Sequence, residues 1–247
     1  MIVDSHCHLR DDRYVGPEWE VEDAIAFMDA VGIAKAVVFQ AWKSTRMSIE
    51  TTEAAVAEYP DRLIPYVYAV PHFERPVLPE IENAIVRRGF RGIKMHKGDC
   101  RFAEYLTDPV MELAQELDVP CLVDFKGEAD PARRIAEKLP RLKLIIAHLG
   151  QCIGTDASVL DKFIAIAEEH PAVLLDASAV VLTEKIAEAA QRIGSERVLW
   201  GTDAPAPGDP DAVKRNLAEI NAMDLSATEK EDILGRNILR LLERNGL

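Results

Sequence analysis

The sequence predicts a (β/α)8 TIM barrel, α/β in class, folded as a single domain over residues 1–247. Three observations predict it. Short β-branched runs alternate with longer amphipathic runs along the whole chain. The alternation makes eight strand–helix units, about 31 residues each, which is the spacing of that fold. No G-x-G-x-x-G turn follows the first strand, which argues against an open doubly wound sheet.

Strands are expected at Ile2–Val3, Ala36–Phe39, Leu63–Ala69, Gly92–Lys94, Cys121–Val123, Leu142–Ala147, Val173–Leu175 and Val198–Gly201. Helices are expected at about Glu20–Ala30, Ser48–Glu58, Leu78–Arg88, Pro109–Leu117, Pro131–Leu139, Val159–Glu169, Thr183–Ile193 and Pro210–Ile220. A last helix, about Ala227–Arg244, closes the chain with the apolar stripe Ile233, Leu234, Ile238, Leu241 and Leu242. Asp108-Pro109, Asp130-Pro131 and Asp209-Pro210 each read as a cap followed by proline at the first helical position. Pro60, Pro140 and Pro171 fall where helices must stop.

Composition excludes several classes of function. Lys and Arg number 29 against 42 Asp and Glu, a formal charge of −13 that repels a phosphate backbone and argues against nucleic-acid binding. No apolar run reaches the ~18 residues of a membrane span, and the N-terminus lacks a signal pattern. A cytoplasmic location is expected, and homo-oligomerisation is left open. Four cysteines without C-x-x-C spacing read as reduced thiols.

In a barrel the chemistry sits where strands end. Here those ends carry Asp4-Ser5-His6-Cys7-His8, then Gln40 and Trp42, His72, Lys94-Met95-His96, Asp124, His148, Asp176 and Asp203. His6 and His8 are two apart, so in an extended strand they share a face at roughly 6.6 Å along the chain. Imidazoles so placed can share one ion. With His148 and Asp203 from later strand ends they make a metal set of His6, His8, His148 and Asp203, suited to one zinc ion with an open position for water. Asp203 is expected to move the proton, and His148 or His96 to polarise a carbonyl or hold the water. Cys7 is expected to pack behind the barrel wall. Cys100 and Cys152 follow His96 and His148 in loops, and the His and Asp set suffices for zinc without a thiolate. His72 is a weaker member of the rim, and His170 lies at a helix end.

Arg10, Arg13, Lys43, Arg46, Arg75, Lys97 and Lys126 lie in the loops after strands, so a small anionic substrate is expected, with Arg10, Lys94, Asp124 and Lys126 as candidate binding residues. Trp42 and Phe125 are candidate apolar walls.

The chain resembles the amidohydrolase superfamily, most closely its amidohydrolase-related branch of metal-dependent hydrolases and relatives of the aminocarboxymuconate-semialdehyde-type decarboxylases. Four pieces carry the resemblance. They are Asp4-Ser5-His6-Cys7-His8, Gly89-Phe90-Arg91-Gly92-Ile93-Lys94-Met95-His96, Ala147-His148-Leu149-Gly150 and Gly201-Thr202-Asp203-Ala204-Pro205. The closing segment from Ile233 to Leu242 also looks like the family's last helix. The resemblance implies a mononuclear metal site on His6, His8 and Asp203, with His148 near the water or substrate. The sequence departs from the branch at the fifth strand, where a ligand histidine is usual and Asp124 stands instead. Lys94 lies near the place of the bridging, carboxylated lysine of binuclear relatives, but its motif is of the mononuclear kind. The D-S-H-C-H-L start is also similar to the TatD-type phosphodiesterases, whose fourth-strand glutamate is absent here. The expected function is therefore a metal-dependent hydrolase of an amide, lactone or ester. The alternatives are a decarboxylase on the same site and a catalytically silent ligand- or metal-binding barrel.

Overall fold

Eight parallel strands pair in sequence order, β1 to β8, in the computed structural model, which describes residues 1–9, 19–73, 77–205 and 209–243. The strands are β1 (Ile2–Leu9), β2 (Ile33–Gln40), β3 (Leu63–Tyr68), β4 (Gly92–His96), β5 (Cys121–Asp124), β6 (Leu144–Ile146), β7 (Val173–Asp176) and β8 (Val198–Leu199). Helices α1 (Val21–Val31), α2 (Thr45–Glu58), α3 (Leu78–Arg87), α4 (Glu104–Glu116), α5 (Ala129–Lys138), α6 (Ala157–Glu169), α7 (Glu184–Ile193) and α8 (Pro210–Ala222) alternate with them. Three backbone hydrogen bonds join the ends of the sheet: Ser5 N to Trp200 O (3.0 Å), Asp203 N to His6 O (2.8 Å) and His8 N to Ala204 O (2.8 Å). The result is the expected TIM barrel, and no helix among the described residues is long and apolar enough to cross a membrane.

Two apolar clusters follow from the alternation of side chains along a strand. Phe39, Tyr66, Tyr68, Leu122, Ile145 and Leu199 fill the inside of the barrel. The opposite faces, with Val38, Ile93, Val123, Ile146 and Leu175, pack against the helices. β1 changes sides part-way. Asp4 pairs with Ala36 but Cys7 with Val38, so one extra residue of β1 forms a bulge. The bulge switches parity: Val3 packs with the inner cluster, and beyond it His6 and His8 turn inward while Cys7 packs in the outer cluster, behind the wall as expected.

The structure corrects two helix starts. α4 begins at Glu104, so Pro109 lies inside the helix and Asp108 does not cap it. Asp108 is instead buried, with its carboxylate on Arg134 and Lys138 of α5. α5 begins at Ala129 with Glu128 at the cap, ahead of Asp130-Pro131. Asp209 does cap α8, accepting from Asp211 N, with Pro210 first in the helix. The closing helix is interrupted. α9 (Ala227–Glu231) passes through a wider π turn, Asp232–Arg236, into α10 (Asn237–Leu242). Ile238 and Leu242 of α10 pack on the inner cluster at the N-terminal end of the barrel.

Candidate active site

The C-terminal mouth gathers the polar side chains. β1 delivers His6 and His8, β4 Lys94 and His96, β5 Asp124, the turn after β6 His148, β7 Asp176, and the segment after β8 Asp203. His8, Lys94, His96, Asp124, His148 and Asp203 line one cavity of about 240 Å³, together with Trp42, Tyr68, Lys126 and Cys152. Backbone strain concentrates here. Trp42, Lys126, His148, Leu149, Ile153, Ala179 and Asp203 all hold left-handed φ values, 48° to 60°. Such conformations cost energy in residues other than glycine and persist where packing over-determines them. Asp118, between α4 and β5, is the other such residue among those described. Two glycines make the close approaches possible. A Cβ on Gly150 (φ 104°) would meet the Phe163 ring at 1.9 Å, and one on Gly201 would meet His6 Cβ at 2.9 Å.

Three donor atoms converge. His6 Nε2 and His8 Nε2 are 3.2 Å apart, and Asp203 Oδ1 is 3.3 Å from the first and 3.0 Å from the second. Ligands held about 2.1 Å from one ion stand roughly 3.0–3.4 Å from each other, so this triangle fits a divalent cation. The donors themselves agree. Burial pushes both imidazoles below their ordinary pKa and keeps them neutral. Burial works against an ionised Asp203, but the hydrogen bond from His8 counters it first, and the carboxyl is held well below the usual range. Lone pairs facing one another repel unless a proton or a cation stands between them. Lys94, fully buried, places its Nζ 3.1 Å from the same His6 Nε2, and burial pulls its pKa down.

Behind these groups lies a set of braces. His6 Nδ1 donates to Asp176 Oδ2 at 2.8 Å, which fixes the tautomer and leaves Nε2 as the lone pair that Lys94 Nζ and the other donors face. Ser178 Oγ donates to Asp176 Oδ2 (2.5 Å) and lies 3.0 Å from Nδ1 of both His6 and His148. His148 Nδ1 donates to Ser178 O at 2.9 Å, so its Nε2 is also an open lone pair. The His148 and His6 rings stack at 5.0 Å, and His8 stacks on Trp42 at 5.6 Å. Asp4, pushed up to about 7 by burial, ties β1 to the β8 segment: Oδ1 accepts from His6 N and Thr202 N, and Oδ2 from Thr202 Oγ1.

A second group surrounds His96. Its Nδ1 faces Asp99 Oδ2 and its Nε2 faces Asp124 Oδ2, each at 3.1 Å. Burial disfavours the charged ring, but these two hydrogen bonds outweigh it and raise its pKa above the ordinary value. The Gly98 amide also donates to Nδ1, at 3.2 Å, so both ring nitrogens are engaged. Tyr68 OH completes the group by donating to Asp99. Asp124 is thereby occupied, taking His96 on Oδ2 and the Lys126 amide on Oδ1 at 2.7 Å. It is not one of the three converging donors.

The other rim residues separate from this cavity. His72 packs edge-on to Phe73, in a different pocket. Lys97 pairs with Glu128 and Arg46 with Glu50. Phe125 is fully buried among Phe102 and Phe163, so it is core and not a cavity wall. Arg10, Arg13 and Arg75 lie outside the described residues. Tyr68, Asp99 and Ser178 were not candidates from sequence. Asp176 and Ser178 carry an i, i+2 spacing at a strand end, like His6 and His8, and that was the available signal.

The family model for amidohydrolases matches residues 3–244. The chain belongs to the amidohydrolase family. Members of this family bind a divalent metal, and the His/Asp cluster at the mouth has the chemistry for one. Among curated protein sequences, none matches. Solved structures match over nearly the whole length. A 5-carboxyvanillate decarboxylase from Novosphingobium aromaticivorans, with manganese and 4-hydroxy-3-methoxy-5-nitrobenzoic acid, has 18% identity and a TM-score of 0.76, covering 98% of this amidohydrolase and 96% of that chain. A dihydroxybenzoic acid decarboxylase from Polaromonas, with manganese and 2-nitroresorcinol, has 17% identity and a TM-score of 0.73 over 98% and 96%. A probable 2-pyrone-4,6-dicarboxylic acid hydrolase from Acinetobacter baumannii, with citric acid bound, has 18% identity and a TM-score of 0.71 over 98% of each chain. At such identities the likeness is one of fold.

Proposed function

We propose that this amidohydrolase is a divalent-metal-dependent hydrolase of a small carboxylate-bearing molecule, acting on an amide, lactone or ester bond. The observation that carries the reading is the convergence of His6 Nε2, His8 Nε2 and Asp203 Oδ1 beside the open Nε2 of His148, with His8, His148 and Asp203 lining one cavity. A divalent ion on those donors supplies Lewis acidity for the scissile carbonyl and for water. His148 Nε2, its ring fixed through Nδ1, holds the attacking water and accepts its hydrogen bond. As the C–N or C–O bond breaks, Asp203 Oδ2 passes the water's proton to the leaving group. Asp203 is ionised and so begins as the base.

The substrate class comes from the opposite wall. Lys94 and Lys126 place positive charge around a cavity of about 240 Å³, which suits one small anion. His96 acts there as the brace of Asp124, since both of its nitrogens are engaged, Nε2 by Asp124 and Nδ1 by Asp99 and the Gly98 amide. Trp42 and Tyr68 supply aromatic walls.

Decarboxylation is the second reading, and the same cations favour it, since a substrate carboxylate must be held in either reaction. The two manganese-bearing structural neighbours are decarboxylases. The ion could equally be zinc or manganese in its donor chemistry, as imidazole and carboxylate suit both. The test is metal analysis of the purified protein, His6→Ala and Asp203→Asn, followed by assay of the loaded protein. Carboxylate-bearing lactones, esters and amides are assayed beside hydroxybenzoates, with acid release and carbon dioxide followed separately. Turnover of the first group without carbon dioxide supports the hydrolase. Carbon dioxide release alone selects the decarboxylase. A protein that holds no divalent metal, or turns over neither group, refutes the reading.

A further inference from the structure

Cys152 has no part in the reaction proposed above, yet it lines the same cavity. Its Sγ lies 3.8 Å from Asp203 Oδ2, while Oδ1 of that carboxylate faces His6 and His8. The two oxygens of Asp203 therefore look toward two different sets of donors. The second set includes His148. Its proton sits on Nδ1, against the Ser178 carbonyl, and its Nε2 stands 3.9 Å from Asp124 Oδ2, beyond hydrogen-bond reach. One donor atom from each of His148, Cys152 and Asp203 lies within 4.8 Å of the others. Arms of about 2.0–2.3 Å to one ion close that span with small side-chain rotations. Among the described residues Cys152 falls in no such set with His6 or His8, so the sulfur belongs to a separate position.

We infer that His148, Cys152 and Asp203 form a second cation position, made soft by the thiolate, which zinc or cadmium enters once the His6–His8–Asp203 donors are filled. Binding replaces the Sγ–H bond with an Sγ–metal bond and releases the proton to solvent, with no change of oxidation state. Hard ions are poor occupants, because thiolate ligands select soft and borderline metals. Occupancy takes the His148 lone pair and Asp203 Oδ2 together. On the hydrolytic reading, and only there, the position is therefore inhibitory: it removes the group that holds the water and the group that carries the proton. Excess zinc slows the enzyme, and excess manganese does not.

The experiment titrates cadmium into the full-length protein, whose resident metal has been measured and removed by chelation, and reads the ultraviolet thiolate-to-cadmium charge-transfer band. The expected band grows with the second equivalent of cadmium. It is absent in Cys152→Ser and kept in Cys100→Ser, and manganese produces none. In the wild-type protein, which needs no variant to fold, saturating cadmium slows iodoacetamide alkylation of Cys152 about tenfold or more. The cadmium concentration that halves each protein's own rate rises about tenfold in Cys152→Ser, in the range seen when support is removed from a metal site. A missing band, a band that survives in Cys152→Ser, or unprotected Cys152 overturns the inference. A band that saturates with the first equivalent also overturns it, by placing the sulfur on the His6–His8 ion. The hydrolytic reading fails on a different result, namely absence of turnover or of a first equivalent bound through His6, whatever the thiol does.

Discussion

In the helical shell Asp108 of α4 is buried, but its two oxygens accept from both terminal nitrogens of Arg134, each at 2.8 Å, and from Lys138 Nζ at 2.8 Å. At the mouth, His6 Nε2 faces His8 Nε2 at 3.2 Å and the Lys94 ammonium at 3.1 Å. Both regions bury titratable groups. In the shell each acid meets a base in matched geometry, and the pairing serves the fold. At the mouth three donor atoms, His6 Nε2, His8 Nε2 and Asp203 Oδ1, stand within 3.3 Å of one another, and the backbone that delivers the side chains is strained at His148 and Asp203. An arrangement costly to the resting chain and aimed at one cavity is intelligible when an additional charge or a substrate completes it.

The largest test of that contrast is Asp203→Asn. The variant keeps the shape and loses the charge that balances a cation against two imidazoles. Bound metal should fall to background by elemental analysis, with kcat/KM down about 1,000-fold, within the span lost when a proton carrier is removed. The thermal midpoint of the metal-free protein should stay close to wild type. A large fall in that midpoint would mean that Asp203 serves the fold, as Asp108 does, and the contrast would break.

Asp176→Asn is the next step down. Asp176 does not line the cavity and bears on it through His6 and Ser178. Its loss should weaken metal affinity by about 10–100-fold while leaving saturated kcat near wild type. A competition titration against a chelator measures the first, and kinetics in excess metal measure the second. Equal losses in both would show that Asp176 acts on the reaction and not through His6.

What the sequence could show of these two regions follows from how local each signal is. The barrel was legible because alternation repeats over the whole chain, and errors at single elements do not disturb it. His6 and His8 were legible as a pair because strand geometry puts positions two apart on one face. Their side of the wall, opposite Cys7, was legible too, but the bulge between Asp4 and Cys7 that puts them there was not, because it is a pairing with β2 that no local pattern records. The Asp108-Pro109 dipeptide misled for a similar reason. Its local chemistry is that of a cap, but burial against Arg134 and Lys138 competes for the carboxylate, and the helix starts at Glu104. Asp124 was visible as a departure from the family pattern. Its engagement by His96 was not, since that needs β4 and β5 in register, His96 beside Asp124.

Asp108→Asn tests the shell side. Burial raises the pKa of this carboxyl, but the hydrogen bonds from Arg134 and Lys138 outweigh it and leave it depressed. A depressed acid adds stability at pH values above its unfolded pKa of about 3.9, and that addition disappears as pH falls through the folded value. The variant should lose about 1–2 kcal/mol in urea unfolding at pH 7, with kcat/KM unchanged. The gap to wild type should begin to narrow as pH falls below the unfolded pKa of about 3.9. A gap that persists at low pH would mean that packing, and not charge, holds α4 on α5.

The smallest effect should come from Glu53→Gln. Arg88 lowers the Glu53 pKa through two hydrogen bonds, Nε to Oε1 at 2.8 Å and Nη2 to Oε2 at 2.5 Å, so the sign of the pH effect matches that of Asp108. The geometry is as good as at Asp108, but the Glu53 side chain is 46% exposed where that of Asp108 is 3%. Solvent screens the exposed pair, and the expected loss is only about 0.5 kcal/mol, fading in 0.5 M salt. Measuring both variants in low and high salt separates geometry from burial. If Glu53→Gln costs as much as Asp108→Asn and resists salt, matched hydrogen bonds alone stabilise the shell, and burial is not what distinguishes its charges from those at the mouth.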